Sequence, residues 1–319
     1  MMLPPIVIFI LSIIALIISG SLLVRSLTKI ANFLHVSEYT IGFILLAFAT
    51  SVPELFVGIA SAIEKNTAII LGTVIGSNIA NLTIIIGIPI LLAKGMKIQS
   101  KKTGKDSLYM VILCSLPLAL MLIGNEISRI DGVILILSFF IYVRKIFSER
   151  KRFSKELENK VSRWSIITSV GVFLFSLVAL FFSANFLVSS ATDIALSFAV
   201  PPILIGLFMV AIGTSLPELV SGTTAALKGH PEMSIGNVIG SNIANVTFIL
   251  GITALIFPIT SNFLLFITSG VYMLITAFIF ATFIRSGKRV DWEEGLSLVL
   301  LYVFFIILEV YIKGAIAVP

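Results

Sequence analysis

The sequence predicts an all-α membrane protein of ten transmembrane helices in two inverted five-helix repeats, with broken helices at the midplane. Three observations predict it. The composition suits lipid rather than water, ten apolar stretches have spanning length, and one part of the chain occurs twice.

Of 319 residues, 58% are hydrophobic and 12% are charged, whereas a soluble domain carries about 25% charged residues. Mean hydropathy is +1.13. A chain this apolar cannot cover its own surface in water, so the bilayer is its solvent. Cys114, the single cysteine, lies in an apolar stretch and reads as a reduced packing residue. One thiol makes no disulfide, and no Cys/His cluster offers a zinc or haem site. A net charge of +6 would suit nucleic acid if it gathered on one face. The Lys and Arg residues instead occupy short connections between apolar segments, the pattern of topology determinants. The apolar run from Leu3 to about Val24 has no Lys or Arg before it and is long enough to span, so it reads as a first membrane helix, not a cleavable signal.

A spanning helix needs about 20 apolar residues. On that basis the spans fall at 3–24, 41–63, 67–92, 107–123, 132–147, 166–188, 203–226, 235–257, 263–284 and 296–312. Alternating the connections puts nineteen Lys and Arg residues on one side, eight of them between Arg144 and Arg163. Only Lys65, Arg129 and Lys313 remain on the other. Basic residues stay inside, so a cell-membrane protein with both termini outside is expected. The mixed-charge run 148–164 reads as a solvated cytoplasmic linker between the halves 1–147 and 165–319.

Shifting the chain by 164 residues lays 19–88 on 183–252 without a gap, with 31 identities in 70 positions. TSVPEL (50–55) meets TSLPEL (214–219), and VIGSNIAN (74–81) meets its copy at 238–245. Each half holds five spans. Five is odd, so the second half enters the membrane from the opposite side, and the repeats are inverted with the site where they meet.

Within the two copies, Glu54 and Glu218 fall near the middle of apolar spans. An ionisable group at that depth costs about 2.5–3.5 kcal/mol on insertion scales and marks a functional position. Pro53 and Pro217 remove backbone donors and clash four residues back, at Ala49 and Gly213, so the helices are expected to break beside the glutamates. Thr50 shares a face with Glu54, and Thr214 with Glu218, with Ser51 and Ser215 adjacent. On the following spans Ser77 and Asn81 stand four apart, as do Ser241 and Asn245, among the glycines 72, 76, 236 and 240 that allow close helix approach. Every donor here is a hard oxygen. That suits calcium, with 6–8 oxygens at roughly 2.3–2.6 Å, or sodium, and not a softer metal that recruits imidazole or thiolate.

The segments GFILLAFATSVPEL with GTVIGSNIAN, and GLFMVAIGTSLPEL with GNVIGSNIAN, resemble the paired alpha-repeats of the calcium/cation antiporter superfamily, closest to its prokaryotic sodium/calcium exchanger branch. The resemblance implies secondary antiport of calcium against sodium by alternating access. It implies a central calcium site at Glu54, Glu218, Thr50 and Thr214. It also implies sodium sites at Ser51, Ser77 and the Ala47 carbonyl, and at Ser215, Ser241 and the Ala211 carbonyl. Where such exchangers usually carry an aspartate in one repeat, this chain has Asn81 and Asn245. With only two central acids, proton/calcium exchange stays open as the alternative coupling, and a passive cation channel as a lesser one. Calcium and sodium or protons are then the substrates, in a lipid setting, with no cofactor, no enzymatic step, no nucleic acid, and a monomer as the working unit. An intramembrane hydrolase using Ser51 or Ser215 would need a nearby base, and those spans hold no Lys or His.

Outside the repeats, Glu309 with Lys313 at i+4 is expected to form an interfacial ion pair. Asp193, His35 and His230 are expected at solvated span ends, and Asn185 at a helix contact.

Overall fold

The computed structural model describes residues 5–34, 38–63, 65, 67–98, 101–148, 163–197, 215–260, 263–287 and 289–316. His35, Ala211, Thr214 and nearly all of the linker 148–164 lie outside the described residues.

Helix α1 (Pro5–Leu34) is followed by α2 (Glu38–Ile41), a π-helical turn Gly42–Leu46, α3 (Ala47–Thr50) and α4 (Val52–Ile63). Next come α5 (Thr67–Ala80), a second π-helical turn Asn81–Ile85, and α6 (Ile86–Leu92). A two-residue strand β1 (Met96–Lys97) leads to α7 (Lys101–Gly124), β2 (Glu126–Ile127) and α8 (Arg129–Ser148). The second half holds α9 (Arg163–Ser197), α10 (Leu216–Leu227), α11 (Pro231–Ile243), a third π-helical turn Ala244–Ile249 and α12 (Leu250–Ile256). It closes with β3 (Ile259–Thr260), α13 (Phe263–Ser286), β4 (Arg289–Val290) and α14 (Trp292–Ile316). Among the described residues, six helices are long and apolar enough to cross a membrane, and seven if the bent pair Gly42–Thr50 and Val52–Ile59 is one span.

Lipid contact is written on the surface. Phe175, Ile141, Phe278 and Ile307 are each more than 60% exposed, a distribution that only an apolar solvent tolerates over so many positions. The segments that carry the duplicated GSN motif are the exception. Ile70–Leu92 and Pro231–Ile256 are each 78% buried, against 28% for Pro5–Ile30 and for Ile166–Ser183. Polar residues on a spanning helix go to the protein interior, where they find partners, so these two become the core around which the other helices pack. Helices α1 and α9 pack on each other at the periphery. Both run well past the predicted ends at 24 and 188. In α1, Leu27 and Ile30 are buried, so protein packing prolongs the helix beyond the predicted end.

Contacts between the halves are reciprocal. Strand β1 pairs with β4, Met96 opposite Val290, while β2 pairs with β3, Glu126 opposite Thr260. A Cβ at Gly87 would come within 2.9 Å of the Gly295 carbonyl oxygen, and one at Gly251 within 2.9 Å of the Gly132 carbonyl oxygen. Helix α6 thus lies against α14 as α12 lies against α8.

Candidate cation site

The helix breaks between α3 and α4, where Pro53 requires it. Ser51 leaves the helical region at φ −85°, ψ 6°, and the two segments meet at 47°. Glu54 therefore stands in the first turn of α4. Likewise Ser215, at φ −95°, ψ 5°, is the N-cap of α10, which puts Glu218 in the first turn of that helix. Unpaired N–H groups at a helix N-terminus favour negative charge, so each helix start gives its buried glutamate an anion-stabilising position. Ala49, before the first break, is half-buried, and Gly213 lies outside the described residues.

Glu54, Glu218, Thr50, Ser51, Ser77, Asn81, Ser215, Ser241, Asn245 and Ala47 are all at most 3% exposed. The Ser77 hydroxyl donates to Glu54 Oε1 at 3.4 Å. Thr50 donates to the Leu46 carbonyl at 3.0 Å and lies 3.4 Å from Asn237 Oδ1. It also faces the Glu218 carboxylate, which has Glu54 as its electrostatic neighbour. Ser241 Oγ lies 3.5 Å from the Ala47 carbonyl oxygen, so oxygen groups of the two halves interleave rather than forming two separate sets. Five buried oxygens, Ser51 Oγ, Ser215 Oγ, Glu218 Oε2, Asn81 Oδ1 and Asn245 Oδ1, have no hydrogen-bond partner among the described residues. A few such atoms per hundred residues is normal, and each asks for an explanation. These five belong to the same buried motifs as Glu54 and Glu218, and oxygens of this kind fit a hard cation that takes only oxygen ligands. Among the described residues, no three His, Cys, Asp or Glu side chains come together.

The π-helical turns also belong here. Asn81 opens one, and Asn245 lies in another. The extra residue per turn re-aims side chains and is frequent at functional sites. Sequence reasoning missed three asparagines that knit the core. Asn78 Nδ2 donates to the Asn242 carbonyl at 3.3 Å, and Asn245 Nδ2 donates to Asn78 Oδ1 at 3.0 Å, joining α5 to the start of the third π-helical turn. The repetition of all eight residues of VIGSNIAN pointed to Asn78 and Asn242, whereas nothing in the repeat marks Asn237, whose counterpart is Thr73.

Close approach of helices is real at Gly240, where a Cβ would meet the Phe43 carbonyl oxygen at 2.6 Å. At Gly72 and Gly76 a Cβ would meet nothing within 4 Å among the described residues. Glu309 is 5% exposed, and Ser269 Oγ lies 3.3 Å from both its carboxylate oxygens, so it joins α13 to α14; the Lys313 side chain expected to pair with it lies outside the described residues. Asn185 and Asp193 are exposed, and His230 is half-buried as the N-cap of α11.

A family model described as sodium/calcium exchanger protein matches residues 4–147 and again 168–311. The sodium/calcium exchanger MaX1 of Methanosarcina acetivorans is 31% identical, over 96% of this chain and 98% of its own. The membrane protein MJ0091 of Methanocaldococcus jannaschii is 30% identical, over 93% and 95%. A solved structure of the sodium-calcium exchanger NCX_Mj, soaked with 2.5 mM Na+ and 1 mM Sr2+, has a TM-score of 0.83 at 27% identity, covering 96% of this chain and 98% of that one. With both halves matched and relatives aligned end to end, this multi-pass membrane protein belongs to the sodium/calcium exchanger family.

Proposed function

We propose that the chain is a secondary antiporter that exchanges calcium for sodium by alternating access. The observation that carries this reading is the buried set of oxygens around Glu54 and Glu218, several of them without a hydrogen-bond partner among the described residues. Glu54, Glu218, Thr50 and Thr214 form the central calcium site. Ser51, Ser77 and the Ala47 carbonyl, with Ser215, Ser241 and the Ala211 carbonyl, supply the flanking sodium ligands, and Asn81 and Asn245 complete the metal-site set. Two carboxylates balance one divalent ion, whose charge would be intolerable alone in a low-dielectric interior. Sodium bound among the same groups discharges the glutamates and weakens the calcium site, so the two occupancies exclude each other. An empty site keeps two facing carboxylates uncompensated. That state resists the dehydrated, closed conformation through which one half must pass the other, and leak is suppressed.

The chain is read as ten helices in two inverted repeats, 1–147 and 165–319, joined by the linker 148–164 and working as a monomer. Support comes from the reciprocal pairing of β1 with β4 and β2 with β3, and from the two family matches, which fall one in each half. Both termini are assigned to the outside on the nineteen-to-three split of basic residues. In a Cys114-free background, a cysteine replacing Lys65 should react with a membrane-impermeant thiol reagent in intact cells, and one replacing Lys105 should not. The opposite pattern reverses the orientation.

A second reading, proton coupling, is favoured by one feature: Asn81 and Asn245 are amides, which leaves the glutamates as the only acids at the centre. The hydroxyls of Ser51, Ser77, Ser215 and Ser241 favour sodium, because neutral oxygens suit a monovalent hard ion. Vesicles loaded with sodium at equal pH on both sides are expected to take up calcium, and vesicles with a proton gradient and no sodium are not. Uptake driven by the proton gradient alone, indifferent to sodium, selects the second reading.

A further inference from the structure

We propose that the basic pocket between α1 and the α10–α11 turn binds a phosphate-bearing anion, presented in the membrane by the headgroup of an acidic phospholipid. The pocket has a volume of about 500 Å3 and is lined by Val24, Arg25, Thr28, Lys29, Lys228 and His230. Three permanent cations and an imidazole, from segments some two hundred residues apart in sequence, thus face one concavity.

The local backbone explains why they meet. Helix α10 ends at Lys228, and Gly229 turns the chain at φ +86°. The Gly229 N–H donates to the Ala226 carbonyl at 3.2 Å, and the His230 N–H to the Ala225 carbonyl at 2.8 Å. This is a left-handed closure that glycine makes without strain. It sets His230 as the N-cap of α11, beside a helix N-terminus that favours negative charge. Glu232 is the one acidic residue of that first turn, against Arg25, Lys29 and Lys228 around the pocket. Lys228 Nζ donates to Ser21 Oγ at 2.6 Å, which ties the turn to α1 across the mouth. The ion pairs Lys145–Asp106 at 3.9 Å and Arg289–Asp291 at 3.0 Å lie elsewhere in the protein and do not involve Arg25 or Lys29.

Depth selects the ligand. The apolar span of α1 ends at Ile30, and long basic side chains in the last turns of a span reach to the headgroup layer. Basic pockets between helices at that level take lipid phosphates. A phosphate seated there holds α1 against α10, the helix whose first turn carries Glu218. The inference rests on the membrane topology proposed above, not on the identity of the transported ion.

The full-length chain in detergent is titrated with short-chain phosphatidylglycerol and, separately, with inorganic phosphate, while thermal stability and lipid retained in native mass spectrometry are followed. Each cation removed is expected to weaken binding about fivefold. Arg25→Gln/Lys29→Gln should therefore weaken it roughly 25-fold, and Lys228→Gln, should the double variant not fold, about fivefold. Lys97→Gln/Arg285→Gln removes the same charge from the same proposed face and is expected to change binding less than about twofold. Binding of the lipid alone assigns the source to the membrane. Binding of both ligands, lost together in the pocket variants, supports the phosphate site with a soluble anion as competitor. An unchanged affinity in the pocket variants, or an equal loss in the control pair, overturns the proposal. In neutral phosphatidylcholine vesicles the pocket variants should exchange calcium normally, so failure here is distinguishable from failure of the cation-site reading.

Discussion

Replacing Glu54 or Glu218 by glutamine is expected to lower calcium uptake into proteoliposomes a hundredfold or more. Each carboxylate is 1% exposed, with the other as its charged neighbour. Removing one partner of a buried pair of opposite charges, here a carboxylate facing bound calcium, costs about 3–5 kcal/mol, and every 1.4 kcal/mol is about tenfold in affinity. Glutamine keeps the volume and one oxygen, so the fold should persist. In the absence of calcium the variant should be no less stable than the wild type, because it relieves two facing negative charges. Its stabilisation by added calcium should disappear. That pair of results separates a lost ligand from a damaged protein, and normal uptake by either variant removes that glutamate from the site.

The second large effect is expected at Gly240, where the segments preceding and bearing the first break cross the core helix. A Cβ there would lie 2.6 Å from both the Ala47 Cβ and the Phe43 carbonyl oxygen, and 3.1 Å from the Phe43 Cα. A backbone atom cannot step aside as a flexible side chain does, so Gly240→Ala should cost about 1–3 kcal/mol, and Gly240→Val more. The displacement also opens the approach of Ser241 to the Ala47 carbonyl, now 3.5 Å, so calcium exchange should fall further than stability alone explains. At Gly171, in α9, a Cβ would meet nothing within 4 Å among the described residues, and Gly171→Ala should be neutral or slightly stabilising in a thermal melt. Equal melting of Gly240→Ala and the wild type would show that the helices do not cross at this distance.

Much of the molecule is legible in the chain alone. A bilayer demands about 20 apolar residues per crossing, so the spans stand out as runs. Glu54 and Glu218 stand out because carboxylates inside such runs are expensive. Pro53 foretells the break at Ser51, and Pro217 the start of α10 after Ser215, because a missing N–H is a local, covalent fact. The duplicated TSxPEL and VIGSNIAN segments locate the site because a copied motif needs no third dimension to be seen.

Other features belong to the tertiary structure alone. The π-helical turns at 42–46, 81–85 and 244–249 are invisible in the composition of those segments, since one extra residue per turn is set by what the helix packs against. The role of Asn237 beside Thr50 and the approach of Ser241 to Ala47 depend on which helices cross and at what rotation. That packing of α13 on α14 encloses Glu309 beside Ser269 is likewise a tertiary fact. Sequence spacing determined which residues share a helix face. Which faces meet was decided by close backbone contacts such as Gly240 against Phe43, because a pair of helices can approach only where both surfaces leave room.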